Sequence, residues 1–191
     1  MSTTLTTVTL LGSYSTPSKT AALAELIVAT VADRIPVDSH VIDVHTLGPG
    51  FTGALARDDL APEVLAEVKR LESADLVVAA SPVFRGSYTG LFKHFVDMVD
   101  QYALANTPVM LAATGGSDRH ALVLDHALRP LFAFLQALVA PVGVYASAGD
   151  FAGTEILNPE VYARIEVAVD DMVPLLRART AHRSEEEAPE G

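Results

Sequence analysis

The chain has 191 residues, half of them apolar, and a mean hydropathy of +0.31, which suits one globular domain with a sizeable core. Its formal net charge of −11 argues against a nucleic-acid partner, because a basic footprint is missing. The absence of cysteine excludes disulfides, thiolate metal sites and cysteine nucleophiles. No apolar stretch reaches the ~20 residues that span a bilayer, and the first residues show no signal-peptide pattern, so we expect a cytoplasmic protein without a membrane partner.

Short β-type runs alternate with longer helical patterns along the chain. The predicted strands are residues 7–11, 39–44, 76–80, 109–113 and 143–146. The predicted helices are residues 19–34, 62–72, 90–100, 120–140 and 159–178. Strands such as 76–80 are apolar throughout, which is typical of parallel strands that are buried on both faces. The alternation therefore predicts an α/β fold with a doubly wound parallel sheet.

The loop after the first predicted strand combines groups that bind phosphate. It reads Gly12-Ser13-Tyr14-Ser15-Thr16-Pro17-Ser18-Lys19-Thr20 and leads directly into a predicted helix. Backbone N–H groups, hydroxyls and the positive end of a helix dipole converge in such a loop. A dinucleotide fingerprint is disfavoured because Gly12 stands alone, and an NTPase loop because the spacing to Lys19 does not match. A hydroxyl-lined mononucleotide loop remains, beside the simpler alternative of a helix cap and a solvated turn.

Two further loops of similar composition follow the third and fourth predicted strands. Residues 81–89 begin with Ser81-Pro82, and residues 114–119 begin with Thr114-Gly115-Gly116. Either loop alone also fits an ordinary tight turn. Because the carboxyl ends of parallel strands meet at one edge of a sheet, all three loops are expected to line one ligand site.

Four motifs occur in a fixed order in this chain: Gly12-Ser13-x-Ser15-x-x-Ser18-x-Thr20, Ser81-Pro82-Val83-Phe84, Gly90-Leu91-x-Lys93-x-x-x-Asp97 and Thr114-Gly115-Gly116. Together they resemble the flavodoxin-like NAD(P)H-dependent FMN reductases. Residues 112–138, with Gly115-Gly116-Ser117-x-x-His120 and Leu128-Arg129-Pro130, are similar more specifically to the reductases of two-component alkanesulfonate monooxygenase systems. The resemblance implies a five-stranded flavodoxin-like sheet of order 2-1-3-4-5. It also implies hydride transfer from NADH or NADPH to FMN.

The same resemblance implies roles for individual residues. The implied phosphate ligands are Ser13, Ser15, Ser18 and Thr20, to which Lys19 adds charge. The implied ring-lining residues are Pro82, Val83, Phe84 and Arg85 on one side and Thr114, Gly115, Gly116 and Ser117 on the other. Many relatives carry arginine in place of Ser15, so the phosphate attraction here is expected to be weaker. Many also carry tyrosine in place of Phe84, which keeps an apolar ring but loses a hydroxyl. The cofactors carry the reactive bonds, so no residue is assigned a catalytic role.

Three residues in or next to the second and third loops are the candidates to bind the phosphates of the nicotinamide nucleotide. They are Arg85, Arg119 and His120. Arginine suits this role because its guanidinium fork donates two parallel hydrogen bonds. Each of the three also fits a solvent-facing loop position, so the preference between NADH and NADPH is left open.

The predicted helix 120–140 is apolar on nearly every side, so it needs burial on more than one face. It is either a central core helix or an interface of a homodimer or homotetramer. Pro130 cannot donate a hydrogen bond to the His126 carbonyl, so we expect a kink or a widened turn there. The resemblance implies a one-residue bulge at Asp125-His126 in a tetramer interface. We hypothesise that His126 tunes the release of reduced flavin.

Three residues near the second predicted strand bear on metal binding. His40 and Asp43 point to opposite faces of that strand, so His40, Asp43 and His45 do not predict a metal site. Residues 1–180 are predicted to form one domain, and residues 181–191 a disordered acidic tail.

The sequence thus predicts an FMN reductase that supplies reduced FMN to a partner flavin-dependent monooxygenase. Two alternatives remain. One is an enzyme with permanently bound FMN that reduces quinones or azo dyes, and the other is a non-catalytic flavodoxin-like electron carrier.

Overall fold

A computed structural model describes residues 4–186 of the chain, with side chains for residues 4–181. Its main sheet has the strands β1 Leu5–Leu11, β2 Val37–Asp43, β3 Leu76–Pro82, β4 Pro108–Gly115, β5 Leu138–Val139 and β6 Val144–Ser147. The order is β2-β1-β3-β4-β5, and every pairing is parallel. The predicted flavodoxin-like order is therefore confirmed. The fifth position holds two short strands in succession, since β5 pairs with the start of β4 and β6 with its end.

Helices cover both faces of this sheet. They are α1 Lys19–Ala32, α2 Pro49–Thr52, α3 Pro62–Glu72, α4 Gly90–Asp97, α5 Arg129–Phe134 and α6 Pro159–Glu186, and a small hairpin of β7 Phe151–Ala152 and β8 Glu155–Ile156 precedes α6. Apolar residues of α1 and α6 form one core cluster, and those of α3, α4 and α5 form the other. Within the described residues, no helix combines the length and the apolarity that a membrane crossing requires.

Alternate residues of the strands face different core clusters. In β1, Val8 and Leu10 pack with the cluster of α3 and α4, whereas Leu5 and Leu11 pack with the cluster of α1 and α6. All four side chains are almost fully buried, which explains why the strand sequences are apolar without alternation.

The predicted helix 120–140 is wrong in extent. A 3₁₀ turn covers Asp118–His120, a π-helical turn covers Leu124–Leu128, and the regular helix α5 ends at Phe134. Gln136 adopts a φ of +58°, and the Ala137 N–H donates to the Phe132 carbonyl at 3.1 Å. This 6→1 hydrogen bond closes the helix and turns the chain into β5. Glycine or asparagine usually marks such an ending, so glutamine gave no signal of it.

The predicted tail overlaps the last helix. Because α6 extends to Glu186, it includes the first six residues of the tail predicted for 181–191. Residues 187–191 lie outside the described residues, and the division into a domain and a tail stays a prediction.

Candidate flavin site

The three loops predicted to share one edge of the sheet lie together at its carboxyl end. The Val83 N–H donates to the Thr114 carbonyl at 2.7 Å, which joins the second loop to the third. The buried Thr89 hydroxyl donates to the Gly12 carbonyl at 2.8 Å, and the Thr89 N–H donates to the Ser81 hydroxyl at 3.2 Å. Thr89 therefore connects the first loop to the second, and it also begins helix α4 as its N-cap.

Two adjoining cavities open among these loops. The larger, of about 510 Å³, is lined by Ser13, Tyr14, Ser15, Pro17, Ser18, Lys19, Thr20, Pro82, Phe84 and Thr114. The smaller, of about 260 Å³, is lined by Lys19, Pro82, Val83, Thr114, Gly115, Gly116, Ser147, Ala148 and Phe151. Eleven of the thirteen residues predicted to bind FMN line at least one cavity, and Arg85 and Ser117 line neither. The two cavities share Lys19, Pro82 and Thr114, and together their volumes fit a site for a small organic ligand.

The Ser13 hydroxyl indicates that the larger cavity holds a hydrogen-bonding ligand. Ser13 is only 2% exposed, and its Oγ has no hydrogen-bond partner among the described residues. A buried hydroxyl without a partner costs about 1–3 kcal/mol, so such groups usually meet a ligand or water. A phosphate oxygen at this position would satisfy it.

The start of α1 adds further phosphate-binding groups. Ser18 is the N-cap of the helix, and its Oγ accepts a hydrogen bond from the Ala21 N–H at 3.2 Å. The Thr20 and Thr114 hydroxyls are buried and lie 2.6 Å apart, so the helix start is joined to the end of β4. Hydroxyls and the N-terminus of α1 therefore converge on the cavity, as a phosphate monoester requires.

Lys19 is the cation of this loop, and protein groups already engage it. Its Nζ donates to the Ala148 carbonyl at 3.4 Å and lies 5.3 Å from the centroid of the Phe151 ring. Cation–π contact and the carbonyl both attract the ammonium toward the chain after β6. A phosphate bound in the larger cavity would therefore depend mainly on hydroxyls and backbone N–H groups.

The second loop is a tight hairpin that presents an aromatic ring. Phe84 and Ser87 exchange backbone hydrogen bonds of 2.7 and 3.1 Å around Arg85 and Gly86, both of which have positive φ. This is the geometry of a two-residue type I′ turn. Phe84 is 52% exposed, and its ring meets that of Tyr14 edge to face, with centroids 5.3 Å apart. Arg85 is exposed at the tip of the turn.

The surroundings of Gly12, Gly115 and Gly116 differ, so glycine is required or allowed at each position for a different reason. A Cβ on Gly12 would lie 2.9 Å from the Phe92 side chain, so Gly12 allows α4 to pack closely. A Cβ on Gly115 would lie 2.2 Å from the Tyr145 hydroxyl oxygen. A Cβ on Gly116 would meet nothing within 4 Å, so Gly116 alone has an open side next to the cavity.

The candidates for the nicotinamide nucleotide lie around the cavities. Arg119 and His120 belong to the exposed 3₁₀ turn that follows Ser117, and Arg85 lies at the hairpin tip. None of the three lines either cavity. Their proposed contact with the nucleotide stays a prediction.

Sequence reasoning missed one wall of the site, which the chain after β6 provides. Ser147, Ala148 and Phe151 line the smaller cavity, and Tyr145 contacts the loop after β4. The same argument that grouped the other loops applies here, because β6 is parallel to β4 and ends at the same edge. The segment Ser147-Ala148-Gly149-Asp150 carries the small and polar residues that signal a loop of this kind.

Asp150 organises this wall through three hydrogen bonds. Its carboxylate accepts from the Ser147 N–H at 2.6 Å, the Ser147 hydroxyl at 3.0 Å and the Asn158 amide at 2.7 Å. The Asn158 bond contributes most to lowering the pKa of Asp150 below its ordinary value of 3.8. Burial, the second-largest effect, raises this pKa, and the two Ser147 bonds lower it. A lowered pKa means that the ionised carboxylate stabilises the folded state.

We expect the Asp150→Asn variant to be less stable than the unmodified protein in a pH-dependent way. The contribution of a carboxylate with a lowered pKa is complete above about pH 4 and is lost as the pH falls through the folded-state pKa. Thermal unfolding between pH 3 and pH 6 should show a gap between the two proteins that closes at the acid end. Asp171→Asn, at an exposed position of α6, is the matched control and should show no such gap. A gap that is the same at every pH would contradict this account.

The predicted bulge residues are exposed on the surface. Asp125 and His126 lie within the π-helical turn Leu124–Leu128, and Pro130 follows at the start of α5. Arg129 stabilises this turn, since it pairs with Asp125 at 3.0 Å and donates to the Ala140 carbonyl at 2.8 Å.

The histidines near β2 each have a carboxylate partner. His40 pairs with Glu67 and His45 with Asp43, both at 2.6 Å. Within the described side chains, no group of three or more histidines and carboxylates is arranged to hold a metal ion.

Comparison with known proteins identifies the family of this site. The family model described as NADPH-dependent FMN reductase matches residues 5–152, which include every cavity-lining residue. The chain belongs to this family. The predicted family, its oxidoreductase activity and its use of FMN with NADH or NADPH are thereby confirmed.

Individual members of the FMN reductase family are similar over nearly the whole chain. NADH-dependent FMN reductase SfnE of Pseudomonas putida is 48% identical over 96% of this chain and 98% of its own. The enzyme called FMN reductase (NADPH) of Pseudomonas aeruginosa is 47% identical over 88% of this chain and 90% of its own. A solved structure of apo NADH:FMN oxidoreductase (EMOB) has a TM-score of 0.79 and 30% identity, and the match covers 90% of each chain.

Proposed function

We propose that this FMN reductase binds FMN as an exchangeable substrate and supplies reduced FMN to a partner flavin-dependent monooxygenase. The observation that carries the proposal is the composition of the phosphate end. Four hydroxyl residues surround it, and its cation, Lys19, is already engaged by Ala148 and Phe151. A phosphate held by neutral donors is bound less strongly than one held by charge-assisted pairs. Such a site suits a flavin that leaves after each turnover.

We assign the flavin contacts as follows. The phosphate is bound by Ser13, Ser15, Ser18 and Thr20, to which Lys19 adds only a secondary charge attraction, and the ring lies between residues 82–85 and residues 114–117. Bound FMN supplies the N5 position that accepts the hydride. The unpartnered Ser13 hydroxyl and the open side of Gly116 support this assignment, because each offers a group or a space that protein atoms do not use.

We assign the phosphates of the nicotinamide nucleotide to Arg85, Arg119 and His120. Their exposure supports this role, because a second substrate must reach them from solvent after FMN is in place. The hydrogen-bonded turn that carries Arg85 supports it further, because a backbone that is already ordered loses less entropy on binding.

The experiment that tests the proposal measures NADH and NADPH oxidation by flavin-free protein as FMN is added. We expect a rate that rises and saturates with free FMN, and reduced FMN that reaches a monooxygenase held behind a dialysis membrane. Turnover of quinone or azo dye at substoichiometric FMN would instead indicate a permanently bound flavin. No turnover with either nucleotide would indicate an electron carrier.

We also propose that the surface around the π-helical turn forms a homodimer or homotetramer interface. Leu122 is 68% exposed and Phe134 is 66% exposed. Phe134 also lines a groove of about 400 Å³ between α4 and α5. Exposed apolar side chains next to a groove are typical of an interface between copies. His126 lies in the same surface, which supports a role in coupling assembly to flavin release.

We expect Leu122→Glu and Phe134→Glu to shift the protein toward the monomer, because each places a charge in the proposed interface. Sedimentation velocity gives the mass of each variant. Val167→Glu is the control, since Val167 is 53% exposed on α6 at the other face of the sheet. A monomeric unmodified protein, or equal masses for all variants, would contradict the proposed interface.

A further inference from the structure

Tyr145 of β6 contacts the loop that follows β4. Its hydroxyl donates to the Ser117 carbonyl at 2.7 Å. The same carbonyl accepts a hydrogen bond from the His120 N–H at 3.2 Å, which closes the 3₁₀ turn. The Ser117 carbonyl oxygen therefore accepts two hydrogen bonds, and one of the two donors, Tyr145, belongs to the neighbouring strand β6.

The Tyr145 phenol also occupies the space in which Gly115 would carry a side chain. A Cβ on Gly115 would lie 2.2 Å from the phenol oxygen and 3.2 Å from the ring carbon that bears it. Real Cβ atoms do not approach other atoms so closely, so Tyr145 in this position requires glycine at 115. The hydrogen bond and the close packing thus act on opposite ends of the segment Gly115–Ser117.

The phenol is a permanent hydrogen-bond donor. Partial burial raises the pKa of Tyr145 above its ordinary value of 10.0, and the negative charges of Asp118 and Asp150 raise it further. The hydroxyl therefore stays protonated at neutral pH, and a carbonyl partner can only accept. The contact does not switch near neutral pH.

We propose that Tyr145 is a positioning residue of the flavin site. It sets the orientation of the peptide units between Gly115 and Ser117, of which Gly115 and Gly116 line the smaller cavity. These units face the place assigned above to the flavin ring, so the inference rests on that assignment. Hydrogen-bond donors fixed in advance bind and polarise a ligand more strongly than donors that must be ordered on binding. Tyr145 acts through the loop and has no catalytic role of its own.

Tyr145→Phe tests the hydrogen bond alone, because the ring remains in place. We expect FMN to bind about fivefold more weakly, the size expected from one hydrogen bond. The absorption spectrum of bound FMN and its reduction potential should shift as well, because the groups around the ring are no longer fixed. Tyr162→Phe is the matched control, since the Tyr162 hydroxyl donates to the Ile156 carbonyl at 2.9 Å on another part of the chain.

Two results distinguish a role of Tyr145 in positioning the flavin-site loop from a role in folding stability alone. If Tyr145→Phe lowers the melting temperature as Tyr162→Phe does but binds FMN with unchanged affinity and spectrum, the proposal is wrong. If the FMN affinity and the spectrum change only in Tyr145→Phe, the proposal stands. Both measurements need only FMN binding, so a protein that failed to pass reduced FMN to a monooxygenase would leave this test intact.

Gly115→Ala gives a second test that does not depend on the stability of one variant. In the unmodified protein the new methyl group meets the phenol oxygen, whereas in Tyr145→Phe the nearest ring carbon is 3.2 Å away. We expect Gly115→Ala to weaken FMN binding more than tenfold on its own and by clearly less in the Tyr145→Phe background. Equal effects in both backgrounds would show that Gly115 and Tyr145 act independently, which would overturn the proposal.

Discussion

Replacing Ser13 by alanine is expected to stabilise the ligand-free protein and to weaken its binding of FMN. The Ser13 hydroxyl is buried without a partner, so its removal relieves a desolvation cost of about 1 kcal/mol. The same hydroxyl is assigned to the FMN phosphate, and a hydrogen bond to a charged group contributes about 1.5–3 kcal/mol. FMN affinity should therefore fall about 10- to 100-fold while the melting temperature rises. Calorimetric titration and thermal unfolding measure the two effects separately.

Thr7→Val is the matched control for Ser13→Ala. The Thr7 hydroxyl is also buried and without a partner among the described residues, but Thr7 lies within β1, away from both cavities. Valine has nearly the same shape, so this variant should gain stability and bind FMN as the unmodified protein does. Equal FMN affinity in Ser13→Ala and Thr7→Val would show that the Ser13 hydroxyl does not bind the FMN phosphate. A lower melting temperature of Ser13→Ala would show that the Ser13 hydroxyl makes a stabilising interaction in the flavin-free protein.

The order of the sheet could be predicted because it depends on patterns that are local in sequence. An uninterrupted apolar strand such as Leu76–Pro82 requires cover on both faces, and alternation with helices then allows few topologies. The end of α5 could not be predicted in this way. Gln136 adopts a left-handed conformation that its residue type does not favour, and its carbonyl accepts from the Asn106 N–H of a distant loop. Tertiary contact decides that boundary.

Some parts of the candidate site could likewise be predicted from local sequence, and others could not. The position of the first loop at the carboxyl end of the sheet could be predicted because Ser13, Ser18 and Thr20 lie at a strand-to-helix junction. The wall formed by the chain after β6 was missed although β6 ends at the same edge of the sheet, whereas the contact between Tyr145 and Gly115 depends on which side chain fills which space. Nothing near Gly115 in the sequence indicates that Tyr145, thirty positions later, takes the place of its side chain. The reason for a glycine is visible only in three dimensions.

Two glycine substitutions are expected to separate folding from flavin binding. A methyl group on Gly12 would lie 2.9 Å from the Cβ and Cδ2 atoms of Phe92, which is fully buried in α4. Neither atom can move without shifting α4 against the first loop, and overpacking of this kind costs about 1–3 kcal/mol. Gly12→Ala should therefore lower the melting temperature by about 4–8 °C, for a cost of about 2 kcal/mol in a chain of this size. FMN affinity should fall as well, because the displaced loop carries Ser13.

Gly116→Ala is expected to give the opposite result. No atom lies within 4 Å of the Cβ that this variant adds, and the residue does not need a positive φ, so the melting temperature should stay the same. The added methyl group instead lies beside the smaller cavity, where we propose that the flavin ring binds, and it would compete with the ring for space. FMN affinity should therefore fall about tenfold with no loss of stability. If Gly116→Ala binds FMN with normal affinity, the flavin ring does not lie against this loop. The proposal that Gly12 is needed for folding and Gly116 for flavin binding is then wrong.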